Sequence, residues 1–530
     1  MNIKYLNLAC LLLFNLSFVL ISCGQTENKG GFKDTAASVS TGFDSTRIDT
    51  FLMEYPKLKR HENDIRTFYR NRDFSYAWFQ DGRLIEQAGS LTNRILNLKD
   101  DGVFKQLSYG GTLDSLIHEE YLGPAPNLKL ELMLTAEYFV FSSLVWQGME
   151  PVVSKSNNWF LPRKKIAYNV YLDSLLQSPK YNLPAKEPVY RQYELLKTYL
   201  RKYRELDDKS NWMQINGDAK GIRSSDSALV ISQIKKRLEQ LEDYSGKLLD
   251  TLFDKELSLA LFRFQQRHGL KPSGKIDRQT LEELNVPVKI RIRQILVNME
   301  RSRWLPVTSK GDYIAVNIPE FKMHVYNSDS LLWSCNAVVG QTVHPTTLFY
   351  GEINQVVFSP YWNIPEGIVI KEILPGMKRD PEYLPKHSME ITGQRNGLPV
   401  VRQRPGLSNS LGLVKFLFPN SYSIYLHDTP IKSLFNETDR AFSHGCIRIE
   451  KPAKLAAFLL KDDRKWSMRS ISSAMQSGKE RYIPIVKKVP VFIAYLTAFI
   501  DRDNRLNFRK DIYDLDSRLA AMIISGDGAY

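Results

Sequence analysis

The sequence predicts a multidomain α+β protein: a helical scaffold, a three-helix module, and a mostly β domain with a lid insertion. Three observations predict it. Apolar residues keep helical spacing from Phe51 to about Tyr203 and again from Ser227 to Pro287, and from Asp312 onward the period switches to strand alternation. A chain of 530 residues has room for two to four ordinary domains.

Composition narrows the class. With 43% apolar and 25% charged residues, the chain can bury several cores, which excludes low-complexity, collagen-like and disordered readings. Only the apolar run near Leu6 to Ile21 approaches membrane thickness, so a polytopic membrane protein is excluded. The formal charge of +14 suits an anionic partner, whether nucleic acid, membrane surface or an acidic polymer, without choosing among them. Four cysteines cannot supply a disulfide framework.

Residues 1–22 read as a signal peptide: Lys4, an apolar run, then Leu20-Ile21-Ser22 before Cys23. That ending resembles the lipobox of bacterial lipoproteins. The resemblance implies lipidation of Cys23 and a membrane partner reached through that lipid anchor, with the remaining chain in the periplasm of the bacterial envelope. Residues 23–50, rich in Gly, Ser, Thr and Asn, read as a flexible tether.

The helical scaffold is expected over 51–210. Leu91, Ile95 and Leu98 recur at helical spacing, and Leu132 to Trp146 is apolar nearly all round yet carries Glu131 and Glu137, the mark of a buried bundle helix. The aromatic cluster Phe68, Tyr69, Phe74, Tyr76, Trp78 and Phe79 reads as core. Asp207 to Asp226, with Gly217 and Gly221, reads as a loop. The second unit spans 225–288. Val230, Ile234, Leu238 and Leu241 line one helix, Leu257, Leu261 and Phe264 a second that closes at His268-Gly269, and Asp277 caps a third. His268 reads as a helix-end residue near the negative end of the helix dipole, not as a ligand.

The mostly β domain is expected over 311–480. Strands cover Tyr313–Ile318, Lys322–Tyr326, Leu331–Val339 and Gln355–Phe358, with Cys335 facing the sheet interior. The proline-rich segment of about 362–412 is too long for a structureless loop and reads as a lid or small subdomain, with a helical stretch at Val369 to Leu374. A helix follows at Pro452 to Leu460, and a C-terminal extension of 481–530 contains a strand-like Val489 to Ile500.

The chemistry concentrates in Tyr425-Leu426-His427-Asp428 and Ser443-His444-Gly445-Cys446-Ile447-Arg448. Acyl transfer by cysteine needs a thiolate, a base and backbone donors for the developing oxyanion. His427 can serve Cys446 either as a proton acceptor or as an ion-pair partner, and Gly445 permits a tight backbone turn. Zinc bound by His427, His444 and Cys446, or a Cys335–Cys446 disulfide, are the competing readings.

These motifs resemble those of the L,D-transpeptidases, the cysteine enzymes that cross-link bacterial peptidoglycan. Phe264-Gln265-Gln266-Arg267-His268-Gly269-Leu270 resembles the three-helix peptidoglycan-binding domain. Trp362-Asn363-Ile364-Pro365, Phe418-Pro419-Asn420 and the Asn298-to-Pro306 linker resemble the large murein members of the family with a scaffold domain. The resemblance spans about 60–515 and implies Cys446 as nucleophile, His427 as base, Gly445 and Cys446 as oxyanion donors, the Asp428 carbonyl as orienter and His444 as auxiliary. Trp362 and Tyr425 read as groove walls. Arg448 reads as a contact for stem carboxylates, with pairing to Glu450 the alternative. Expected partners are peptidoglycan stem peptides and, as covalent inhibitors, carbapenems. No metal, cofactor or nucleic acid is expected. The alternatives in function are an L,D-carboxypeptidase with the same acyl-enzyme and a non-catalytic wall-binding lipoprotein.

Overall fold

The computed structural model describes residues 42–120, 126–177, 187–210, 212–216, 227–306 and 310–524. The expected signal peptide, Cys23 and the tether up to residue 41 lie outside them. The tether was expected to run to residue 50, but Thr46–Glu54 is helical. Ile48, Phe51 and Leu52 form an apolar face there that docks on the scaffold core, which a tether could not do.

The scaffold is built around helix α1, Leu128–Ser142, buried on every side. Its N-cap Asn127 accepts hydrogen bonds from the Lys129 and Leu130 amides at 2.9 and 3.2 Å. Glu131 explains how a carboxylate survives there. Its oxygens accept from the Ala77 and Trp78 amides at 2.7 and 3.0 Å and from the Tyr69 hydroxyl at 2.7 Å, tying down the aromatic cluster. Burial raises its pKa to about 7. Helix α2, Gln192–Lys209, continues through the first residues of the expected loop at 207.

Helices α3 (Leu229–Gln240), α4 (Lys255–Arg267) and α5 (Arg278–Leu284) enclose a separate small core. Gly269 closes α4 at φ +67°, and Asp277 caps α5 through the Thr280 amide at 2.8 Å. His268 does end α4, as its C-cap, and is buried. It stacks on Phe264 and lies 2.6 Å from Glu283, and burial drives its pKa down to about 3. Here desolvation outweighs the helix dipole.

The expected linker around Asn298 to Pro306 is mostly the last turns of a 17-residue helix, α6, Val288–Trp304. Ile292, Ile295 and Met299 pack in the scaffold core, while Val297 and Trp304 pack in the β-domain core. Arg301 pairs with Asp516 at 2.6 Å, and Arg303 and Trp304 both reach Glu300. The segment is therefore a shared, buried spine.

Eight strands of a ten-stranded sheet form the closed path of the β domain: β1 Asp312–Asn317, β2 Lys322–Asn327, β3 Ser330–Gly340, β4 Leu348–Phe358, β5 Val414–Leu417, β6 Leu426–His427, β7 Ile447–Ile449 and β8 Arg481–Ala494; the short strands Trp159–Phe160 and Ala441–Ser443 add to β4 and β3. Their order is β5-β6-β7-β3-β2-β1-β8-β4, and β4 also pairs with β5, so the sheet closes on itself. Strand β8 lies between β1 and β4. The expected C-terminal extension is thus not separate, because its first strand completes the barrel. The strand-like segment at 489–500 divides at Tyr495–Thr497, and Ala498–Ile500 pairs with Leu506–Phe508 against the scaffold core.

The segment expected as a lid is a small subdomain. Trp362–Asn363, Leu398–Gln403 and Met389–Arg395 form a three-stranded antiparallel sheet, and Ile364, Val369, Ile373 and Val401 make its own core. Its roots are fixed by buried polar groups. The Asn409 amide donates to the Pro360 and Arg404 carbonyls at 3.1 and 2.8 Å, and the Ser359 hydroxyl to the Met475 carbonyl at 2.9 Å.

Candidate active site

Strand parity sets the site. Phe416, Leu426, Ile447 and Ile449 point into the barrel and are fully buried. The alternate positions Lys415, Tyr425, His427, Cys446 and Arg448 therefore share the opposite, outer face. Strand β6 joins them: His427 is in register with Lys415 of β5 and with Arg448 of β7, and the Ile447 amide donates to the Tyr425 carbonyl at 3.2 Å. Cys446 thus sits opposite Tyr425, two positions along β7 from Arg448, the register partner of His427.

Cys446 is a free, partly exposed thiol whose sulfur lies 3.5 Å from the Ser423 carbonyl. Burial raises its pKa, although hydrogen bonds from the Tyr425 backbone and hydroxyl and the charge of Arg448 favour the thiolate. His427 is 4% exposed, and its Nδ1–H donates to the Asp428 carbonyl. Burial first, then Arg448, lowers its pKa to about 3, against the opposing pull of the Asp428 and Leu411 carbonyls. Both shifts favour the uncharged forms, a neutral thiol and a neutral imidazole.

Each remaining expected residue has a definite place. Gly445 has φ +111°, a conformation that favours glycine. Its amide donates to the Ser443 hydroxyl at 3.2 Å and its carbonyl accepts from Thr346 at 2.7 Å. In this conformation the Gly445 N–H, expected as an oxyanion donor, is thus engaged by Ser443. Asp428 receives the Leu413 amide at 2.9 Å and pairs with Lys432, so its carboxylate anchors the loop while its carbonyl holds the imidazole. His444 points to the lid instead of joining the row: its Nε2 lies 3.2 Å from Glu372, and its ring lies 5.3 Å from that of His344. Trp362, at the first strand of the lid, hydrogen-bonds the Tyr425 side chain. Arg448 does not pair with Glu450, whose carboxylate accepts from the Asn336 amide at 3.0 Å. Cys335 is 4% exposed inside the barrel, and burial raises its pKa to about 11; both it and Cys446 are free.

Sequence reasoning missed Lys415 and Glu480. Lys415 is buried, with its ammonium 3.3 Å from the Tyr361 carbonyl and 3.7 Å from Glu480, and Glu480 also accepts the Tyr361 amide at 2.9 Å. The two clamp the residue just before the lid. The available signal was a lysine interrupting the apolar run Val414-Lys415-Phe416-Leu417.

Comparison with known proteins agrees with this architecture. Residues 311–479 match the L,D-transpeptidase catalytic domain, 63–200 a scaffold domain, and 229–284 a domain described as "Putative peptidoglycan binding domain". A Haemophilus influenzae protein named "Putative L,D-transpeptidase" is 34% identical over 271 residues, 47% of this chain and 54% of that protein. The chain thus matches about half the length of this curated relative. Among solved structures, an L,D-transpeptidase from Stackebrandtia nassauensis is 14% identical, with 53% of this chain and 97% of that one covered and a TM-score of 0.22. L,D-transpeptidase 1 from Mycobacterium tuberculosis is 10% identical, with 36% and 62% covered and a TM-score of 0.17. The chain carries an L,D-transpeptidase catalytic domain. The same chain also matches the scaffold and peptidoglycan-binding domain models.

Proposed function

We propose that this protein cross-links peptidoglycan by L,D-transpeptidation, with Cys446 as nucleophile and His427 as the proton carrier. The observation that carries the reading is the outer-face constellation of Tyr425, His427, Cys446 and Arg448 on adjacent strands, beside the lid residue Trp362, within the matched catalytic domain. Cys446 passes its proton to His427 and attacks the diaminopimelate–D-alanine carbonyl of a donor stem. The imidazolium then protonates the departing D-alanine amine, and a thioester remains. A diaminopimelate amine on an acceptor stem attacks the thioester and restores the thiol. Because the Gly445 amide faces Ser443, the Cys446 amide is the first donor offered to the oxyanion. The Nδ1–H bond to Asp428 leaves Nε2 as the nitrogen that exchanges protons with sulfur.

The same reading places Cys23 under a lipid anchor and the folded domains in the periplasm, where the positive charge favours anionic headgroups and stem carboxylates. Carbapenems are expected to acylate Cys446. The test is incubation of the soluble chain with disaccharide-tetrapeptides, with products read by mass spectrometry. Cross-linked dimer supports the transpeptidase, and tripeptide monomer replaces it with the carboxypeptidase. No conversion, with binding to sacculi retained, replaces both with a wall-binding protein.

A further inference from the structure

The scaffold adds a two-residue strand to the barrel: Trp159 and Phe160 pair in parallel with Leu348 and Phe349 at the start of β4. Strand alternation separates their side chains. Trp159 is buried against Trp304 of α6, with ring centroids 5.5 Å apart, and anchors the strand. Phe160 is 40% exposed, and its ring lies 5.8 Å from that of Tyr422, itself 39% exposed. Tyr422 in turn leans on the buried Phe349 ring at 5.1 Å. The loop that carries it is braced by the Asn420 side chain. Asn420 accepts from the Tyr422 and Ile424 amides at 3.0 and 3.1 Å and donates to the Phe418 and Ile424 carbonyls at 2.7 and 2.8 Å. Single exposed apolar side chains are ordinary, but two aromatic rings from different domains, held together in water on a braced loop, form a built surface. It adjoins the site, because Tyr422 directly precedes Ser423, whose carbonyl lies 3.5 Å from the Cys446 sulfur.

We infer that Phe160 and Tyr422 form a sugar-binding shelf for the disaccharide end of the donor stem. The inference rests on the reading of Cys446 as nucleophile. Along Tyr422-Ser423-Ile424-Tyr425-Leu426-His427 the thiol stands opposite Tyr425, so the shelf lies to one side of it and the imidazole to the other. His427 stands on the side of the departing D-alanine amine, which it protonates, and the incoming amine takes the place that D-alanine leaves. The shelf is therefore on the side of the acyl portion, which stays on sulfur as the thioester. Three stem residues precede the scissile bond of a tetrapeptide, and extended they span about 10 Å. That length carries the attached sugar beyond Ser423, toward the aromatic pair. A pyranose packs the flat face of its C–H groups on an aromatic ring and leaves its hydroxyls in water, an occupant that half-exposed rings fit. Phe160 makes the scaffold part of the substrate site: it binds sugar and takes no part in bond making.

Release of D-alanine by the folded full chain tests this, with a disaccharide-tetrapeptide as one donor and the same tetrapeptide without sugar as the other. The expected wild-type kcat/KM favours the sugar-bearing donor by about tenfold, the worth of a good aromatic contact. Phe160→Leu and Tyr422→Leu keep apolar bulk at half-exposed positions but remove the flat face, and each should lower that ratio by about threefold or more. Phe160→Trp should preserve it. In the wild type, added free disaccharide should slow release from the sugar-bearing donor more than from the bare one, a comparison that needs no variant to fold. A wild-type ratio near unity, equal slowing of both donors, or a raised ratio that survives both Leu variants overturns the inference and leaves the nucleophile reading intact. So does an equal fall in release from both donors in Phe160→Leu, which would mark the ring as structural. Release from neither donor by the wild type overturns the nucleophile reading itself, and the shelf with it.

Discussion

Cys335 and Cys446 belong to neighbouring parts of one barrel wall, where β3 pairs with β7 through Val338–Arg448 and Ala337–Ile449, yet they face opposite sides of it. The inner thiol packs among apolar side chains, and burial holds its pKa at about 11 although the Lys451 and Glu450 backbone favours its thiolate. The outer thiol is also penalised by burial, but Tyr425 and Arg448 offset part of that penalty. The same residue type in one sheet is thus inert filling on one face and a nucleophile candidate on the other. The difference lies in what the second face brings within reach.

The largest expected break in that comparison comes from the thiols themselves. Cys446→Ala should abolish carbapenem adducts and both cross-linked and trimmed products, whereas Cys335→Ala should keep them; intact-mass spectrometry of each variant decides. A result in which Cys335→Ala also loses the adduct would place the chemistry on the wrong face. Next, His427→Gln should slow acylation by about 10²–10⁴-fold, the usual worth of a positioned acid–base group. Stopped-flow measurement of carbapenem acylation reads this directly, and an unchanged rate would remove the imidazole from the step.

A smaller effect follows from protonation. Folded His427 stays neutral down to about pH 3, while in the unfolded chain the ring protonates near its ordinary value of 6.5. The stability tied to this residue is therefore complete above pH 6.5 and is lost as pH falls toward 3, by at most about 1.4 kcal/mol per pH unit. Urea melts at pH 7 and pH 5 should show wild type losing more stability than His427→Gln on acidification. Equal losses would mean that the ring is hydrated in the folded state. The smallest effect is expected from Cys335→Ala, about 1 kcal/mol of stability for one small cavity in the barrel core. A larger loss in the same melts would show a tighter inner wall than its packing implies.

Legibility followed the range of the interactions involved. Asp277 and Gly269 were readable because capping and left-handed closure act within a few residues. The inward parity of Cys335 was readable because a strand alternates. The role of β8 was hidden, since nothing local reveals that Arg481–Ala494 inserts between two strands that precede it by more than a hundred residues. Helix α6 looked like a linker because its apolar residues serve two different cores. At the site, Tyr425, His427, Cys446 and Arg448 stood out by residue type, while Lys415 resembled an ordinary lysine until β5 set it beside His427.

The sequence by itself determined the order of domains, the alternation that puts a histidine and a cysteine on one face, and the glycine that lets the chain turn before that cysteine. Only the tertiary structure decided the protonation of the two groups, the engagement of the Gly445 amide, and the separation of Arg448 from every carboxylate among the described residues. Those depend on desolvation and on charges brought together from β5, β6, β7 and the lid. Such quantities have no local signature, because they arise only when distant strands exclude water from a shared face.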